Sequence, residues 1–148
     1  MPLRFLLSGF AAGLLAVPTF HQLTVWGLYN AGLVMNRPFS FRPEPPFDVP
    51  RLLSISFWGG VWGVLVVLIL LARPRLPTVM TAVAVGVLGA ATISMTLAPA
   101  LRGHAMPILD PERWWRPVLI NGMWGLGTGL ILASLRGRLH HGDQDGGQ

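Results

Sequence analysis

The amino-acid sequence predicts an all-α, polytopic integral membrane protein, a four-helix transmembrane bundle, and three observations lead there. Leu52 to Leu71, LLSISFWGGVWGVLVVLILL, carries no charge and is closed at its two ends by Arg51 and Arg73. At ~1.5 Å rise per residue it covers roughly 30 Å, the thickness of a bilayer's hydrocarbon core. The 148-residue chain is 52 % hydrophobic and only 11 % charged, which does not suit a soluble domain of that length. Further apolar stretches flank this one, and once it lies in lipid they must be judged as spans too, because lipid leaves a backbone no partner except its own helix. The spans fall at about 5–29, 52–72, 78–98 and 118–135, within one transmembrane domain over 1–138, followed by a flexible polar tail over 139–148.

Met1 to Arg4 followed by FLLSGFAAGLLAV has the basic start and apolar centre of a signal peptide. No small-x-small site precedes a polar mature start, and the apolar character continues through Trp26 and Leu28 to Val34, so an uncleaved first span is expected. Its apolar run, about 45 Å if wholly helical, should tilt or extend past the interface, and Pro18 should kink it.

Asn36 to Pro50, NRPFSFRPEPPFDVP, carries Pro38, Pro43, Pro45, Pro46 and Pro50, which excludes a regular helix and favours an extended, partly polyproline-like loop. Phe39, Phe41 and Phe47 alternate with Arg42, Glu44 and Asp48, a pattern that suits a segment lying along a membrane surface with rings dipped and charges wet. After the second span, ARPRLP is short enough to make the second and third helices antiparallel neighbours. In the third span Ala82, Gly86, Ala90, Ser94 and Ala98 recur every four residues and predict a small-residue packing face.

In LDPERWWRP, Asp110 suits a helix cap, Pro111 the first helical position and Glu112 the first turn. Trp114 and Trp115, with Arg113 and Arg116 beside them, belong at an aqueous interface. The fourth span ends at Arg136 and Arg138, and its Gly122, Gly125 and Gly129 are read as helix-packing positions. That reading includes GLGTG, which lacks the preceding strand a nucleotide-binding glycine loop requires.

Four spans put both termini on one side, with Arg4, Arg73, Arg75, Arg136 and Arg138. Arg37, Arg42, Arg51, Arg102, Arg113 and Arg116 lie on the other, so the count alone decides nothing. The first group sits in short acid-free segments beside the spans, and cytoplasmic termini are the expectation. The net charge of +5 comes from arginines scattered singly or in pairs at helix ends, which suits lipid head groups and not a nucleic-acid stripe. Without cysteine there is no disulfide, thiolate metal site or thiol nucleophile.

GGVWGV, Gly59 to Val64, and NGMWGL, Asn121 to Leu126, share a Gly-x-Trp-Gly core, each following a proline-bearing loop. Either the chain is two similar hairpins related by an axis along the membrane normal, as in parallel-repeat transporters, or both stretches use Gly and Trp independently for packing. Spans one and three show no similarity that decides between these.

Only His21, in TFHQLT, can ionise near neutral pH inside a span. Counting ~1.5 Å per residue from Arg4 puts it about 25 Å along the first helix, in the outer leaflet. Ser54, Ser56, Trp58, Ser94, Thr96, Asn121 and Trp124 fall in the same half, whereas the inner half is Leu, Val and Ile. Two arrangements follow. One is an outward-facing polar pocket of His21, Gln22, Ser54, Ser94 and Asn121 walled by Trp58, Trp62 and Trp124, suited to a head group, a quinone ring or a proton path. The other is a set of inter-helical hydrogen bonds worth ~0.6 kcal/mol each and up to about 2.

No cofactor and no metal site are predicted. A bis-histidine haem needs a second intramembrane His, leaving only an unusual His21 and Met95 pair; His104 is in a loop, and His140 and His141 with Asp143 read as solvated tail. No Ser-His-Asp order, paired intramembrane carboxylates or HExxH is present.

FHQ in the first span, FWGGVWG in the second and NGMWGLGTGL in the fourth together make the chain resemble a group of short four-helix inner-membrane proteins of proteobacteria. The resemblance implies a bacterial inner membrane and four helices, and it brings no activity or catalytic residue. The first functional expectation is a non-enzymatic accessory or assembly component of a membrane complex, whose partners are the bilayer and another membrane protein or a second copy. The alternatives are a homo-oligomeric small-solute transporter and a lipid- or quinone-binding protein using the pocket around His21.

Overall fold

Hydrophobic runs bounded by prolines and arginines become helices here because each supplies its own backbone partners along its length. The computed structural model describes residues 3–44, 47–101 and 110–145, with backbone alone at Ala98, Pro111 and residues 136–145. Arg102 and His104 lie outside the described residues, as do the side chains of Ala98, Arg136, Arg138, His140 and His141. The helices are α1 (Leu3–Asn30), α2 (Arg51–Ala72), α3 (Thr78–Leu101) and α4 (Trp115–Asp145). The first three, and Trp115–Leu135 of α4, are long and apolar enough to cross a membrane. The α4 backbone is helical through Leu139 to Asp145, the stretch expected as a flexible polar tail; a helix once nucleated extends at little cost.

The helices form two antiparallel hairpins. In the first, Gly9 and Gly13 of α1 lie against Gly63 and Gly59 of α2: a Cβ on Gly9 would stand 2.7 Å from the Gly63 carbonyl oxygen, and one on Gly13 would collide with that of Gly59. In the second, a Cβ on Gly125 would strike the Ala82 carbonyl and one on Gly86 that of Asn121, while one on Gly129 would lie 2.6 Å from the Val79 Cα. Backbone-to-backbone approach of this kind maximises dispersion contact where lipid supplies no hydrophobic drive. Gly122 differs, since a Cβ there would meet only the Val87 side chain, at 3.4 Å.

The hairpins join mainly along α1 and α4. Their shared core is Ala12, Ala16, Val17, Val66, Val67, Leu70, Ala82, Trp124 and Leu132. Although the short connector makes α2 and α3 neighbours, their contact is the slighter one, and Trp62 of α2 fills it by lying on Gly89 of α3.

Two π-helical segments set the register of the buried faces. In α1, Pro18 has no N–H to give, and the turn widens over Val17–His21 so that the Gln22 N–H reaches the Val17 carbonyl. Continuing from Val17 by fours, a regular helix would bury position 21; the extra residue hands that place to Gln22, which is 4 % exposed. In α3 the π segment Val85–Ala90 does the same, with Ala91 N–H bonded to the Gly86 carbonyl. The small-residue face therefore holds at Ala82, Gly86 and Ala90 and then passes to Ala91 and Met95, leaving Ser94 exposed. Helix α3 also breaks at Thr96 (φ −117°, ψ −80°), where Pro99 downstream removes one helical donor and crowds the Met95 carbonyl.

The loop between α1 and α2 is not wholly irregular. Strands β1 (Pro43–Glu44) and β2 (Val49–Pro50) pair antiparallel, Pro43 with Pro50 and Glu44 with Val49. The first donors of α2 are then satisfied by loop backbone, Arg51 N–H to the Arg42 carbonyl and Leu52 N–H to the Ser40 carbonyl, each at 3.0 Å. Ahead of α4, Asp110 caps a separate 3-10 turn, Pro111–Arg113, through Oδ1 and the Glu112 N–H (3.2 Å), and α4 itself starts at Trp115.

Candidate polar site at the loop end

The π turn that buries Gln22 aims its amide at the loop. Gln22 Oε1 accepts the Phe39 N–H at 2.6 Å, and Nε2 lies 3.1 Å from His21 Nδ1. Because the Phe39 donor fixes which end of the amide is oxygen, Nε2 must donate to His21, whose Nδ1 is then an acceptor and whose ring proton is assigned to Nε2. Phe39 has φ 51°, a left-handed backbone that costs a non-glycine residue roughly 1–2 kcal/mol. The amide bond holds it there, so Gln22 acts as a clasp between the helix end and the loop.

Beside the clasp, Arg51 at the start of α2 forms an ion pair with Glu44 of β1 and lies within electrostatic reach of His21. An open groove follows the loop backbone from Met35 to Glu44, with Arg37, Arg42 and Arg51 on its walls.

The other residues expected in the pocket go elsewhere. Trp58 is 57 % exposed and stands edge-on to Phe57, itself on the outer face of α2. Trp62 covers Gly89, and Ser54 is half-buried on α2. Exposed Ser94 donates to its own helix at Ala91, and Asn121 Nδ2 donates to Pro117 at 2.9 Å. Trp124 is 2 % exposed in the core and donates from Nε1 to the Gly13 carbonyl at 2.9 Å. The structure thus joins His21 with Gln22, and places the three tryptophans apart: Trp58 on the outer face, Trp62 on Gly89 and Trp124 in the core. The physical reason lies in self-satisfaction: a hydroxyl or amide on a helix reaches a carbonyl three or four residues back without waiting for a neighbour. Thr19, Thr24, Thr81, Thr92 and Thr128 bond their own helices in the same way.

Sequence reasoning singled out neither the glycine pairs of the first hairpin nor the arginine groove. The G-x-x-x-G spacing of Gly9 with Gly13 and of Gly59 with Gly63 was legible and carried the first of these. The groove had no local signal, because the loop's path creates it. Among the described residues, no group of three or more His, Asp or Glu stands in metal-holding array. Compared with protein-family models, curated proteins and solved structures, the chain matches none.

Proposed function

We propose that the chain is a four-span integral protein of a bacterial inner membrane, with both termini cytoplasmic, acting as a non-enzymatic accessory or assembly component of a membrane complex. One observation carries this reading: the interior is welded by backbone contacts at glycines and filled by Trp124, Val66, Leu70 and Thr128, while apolar side chains cover the outside. Leu53, Phe57, Trp58, Val61, Leu65 and Leu68 expose one broad side of α2 to lipid or to a neighbouring protein. A bundle so closed offers a partner its surface.

The contacts also favour the two-hairpin reading. In each Gly-x-Trp-Gly stretch the last glycine, Gly63 or Gly125, meets the first helix of its own hairpin. Each tryptophan, Trp62 or Trp124, crosses to the first helix of the other, at Gly89 or Gly13. Such an exchange is what an axis along the membrane normal produces.

Mild-detergent extraction at native expression level, followed by the mass and composition of the particle, tests the reading. A fixed ratio to another membrane protein is the expected result. A particle of this chain alone would overturn it and favour the transporter or the lipid- or quinone-binding alternative.

A further inference from the structure

Arg37, Arg42 and Arg51 are separated in the sequence, yet they wall one open groove at the loop end together with Asn36, Ser40 and Glu44. The loop's own bonds bring them together. Gln22 pins Phe39, while the Ser40 and Arg42 carbonyls receive the first two N–H groups of α2, so the loop segment carrying Arg37 and Arg42 is folded back over Arg51.

The groove's charge is unbalanced. Its one carboxylate among the described residues, Glu44, is engaged by Arg51, and the pair is mostly buried, at 18 % and 33 % exposure. Arg37 and Arg42 are exposed, and neither side chain forms an ion pair or hydrogen bond among the described residues. Guanidinium groups gathered without counter-charge attract an anion, and their forked donors match the oxygens of a phosphate. The loop points to the source of that phosphate. Met35, which lines the groove, is 96 % exposed, and Phe41 and Phe47 of the same loop are 62 % and 84 % exposed, beside the start of a helix of membrane-spanning length.

We propose that this groove is a binding site for a phosphate group, with the phosphodiester of an anionic phospholipid as the source that the exposed apolar side chains of its loop favour. This rests on the membrane reading given above. The guanidinium groups of Arg37 and Arg42 hold the phosphate oxygens, Arg51 is kept in place by Glu44, and the exposed methionine and phenylalanines lie beside the acyl chains.

The test uses the full chain reconstituted into bilayer nanodiscs of phosphatidylcholine doped with phosphatidylglycerol, with the lipid retained after extraction read by native mass spectrometry. Wild type should retain phosphatidylglycerol over phosphatidylcholine. Arg37→Gln with Arg42→Gln should weaken that preference by about twenty-five-fold, at roughly fivefold per arginine. Neither side chain holds the fold, since Arg42 contributes to it through its backbone. The pair Arg73→Gln and Arg75→Gln, at the opposite end and outside the groove, should weaken it far less. Equal retention by the first double variant and wild type, or equal loss in both double variants, overturns the site. Inorganic phosphate titrated against detergent-solubilised protein separates the sources: a thermal shift lost in the first double variant, without lipid preference, supports the phosphate site and assigns it to free phosphate. Failure to enter nanodiscs overturns the membrane reading and the lipid source with it, and the same titration then decides the groove.

Discussion

The backbone N–H of Phe39 is bonded to the side-chain oxygen of Gln22, 17 positions earlier, at 2.6 Å, and this one bond ties the end of α1 to the loop that covers the start of α2. Gln22→Ala leaves the Phe39 donor without its acceptor while Phe39 still has to hold φ 51°. A loss of about 1–3 kcal/mol is expected in denaturant unfolding of detergent-solubilised protein, with faster proteolysis within Asn36 to Pro50. Gln22→Glu keeps the acceptor for Phe39 but loses the amide donor to His21 and buries a carboxyl group, so it should restore the loop's protection from proteolysis more than the stability. Proteolysis unchanged in the alanine variant would show that the clasp does not hold the loop.

His21→Ala removes only the acceptor of the Gln22 amide, so a cost of about 1 kcal/mol is expected. The composition of the native complex should be unchanged. Loss of a lipid- or solute-dependent activity with folding intact would instead make His21 a functional group and favour the alternative readings.

Glycine substitutions should divide by what a Cβ would meet. Gly13→Ala drives a methyl into the Gly59 carbonyl and should cost about 1–3 kcal/mol. At Gly27 nothing lies within 4 Å, and alanine should be neutral or gain up to about 1 kcal/mol of helix propensity. Unfolding midpoints of the two variants check the contrast.

Trp124→Phe keeps most of the buried ring but loses the donor to the Gly13 carbonyl, for about 1 kcal/mol. Trp124→Ala should cost about 3–5 kcal/mol. Trp58→Ala, on an exposed ring, should fall within about 0.5 kcal/mol of wild type. Equal effects at Trp58 and Trp124 would contradict their different burial.

Deleting exposed Leu88 from the π segment of α3 should be tolerated within about 1 kcal/mol. The shortened helix then carries Gly86, Ala91 and Met95 at regular four-residue intervals, the face that the π turn already buries. Deleting Leu65 from regular α2 turns Val66, Val67 and Leu70 away from the core and should abolish folding. Circular dichroism and size exclusion in detergent distinguish the two.

Local chemistry by itself determined the helices: Leu52 to Leu71 has no charge and no break, Pro38 to Pro50 forbids helix, and the spacing of Ala82, Gly86, Gly125 and Gly129 marks faces that pack. Such features act within a few residues, so composition and spacing suffice to read them. What only the tertiary structure decided depends on register and chain path. One extra residue in each of two π turns moved burial from Ser94 to Met95 and gave Gln22 the inward place, although the four-residue stripe and the one histidine within a span pointed elsewhere. Polar side chains that shared a level along their helices, Ser94 and Asn121 among them, found nearer partners in their own carbonyls. Arg37, Arg42 and Arg51 met in one groove because three hydrogen bonds folded a proline-rich loop onto a helix end. Their proximity is a property of that path, since a loop without periodicity carries no pattern from which its course can be read.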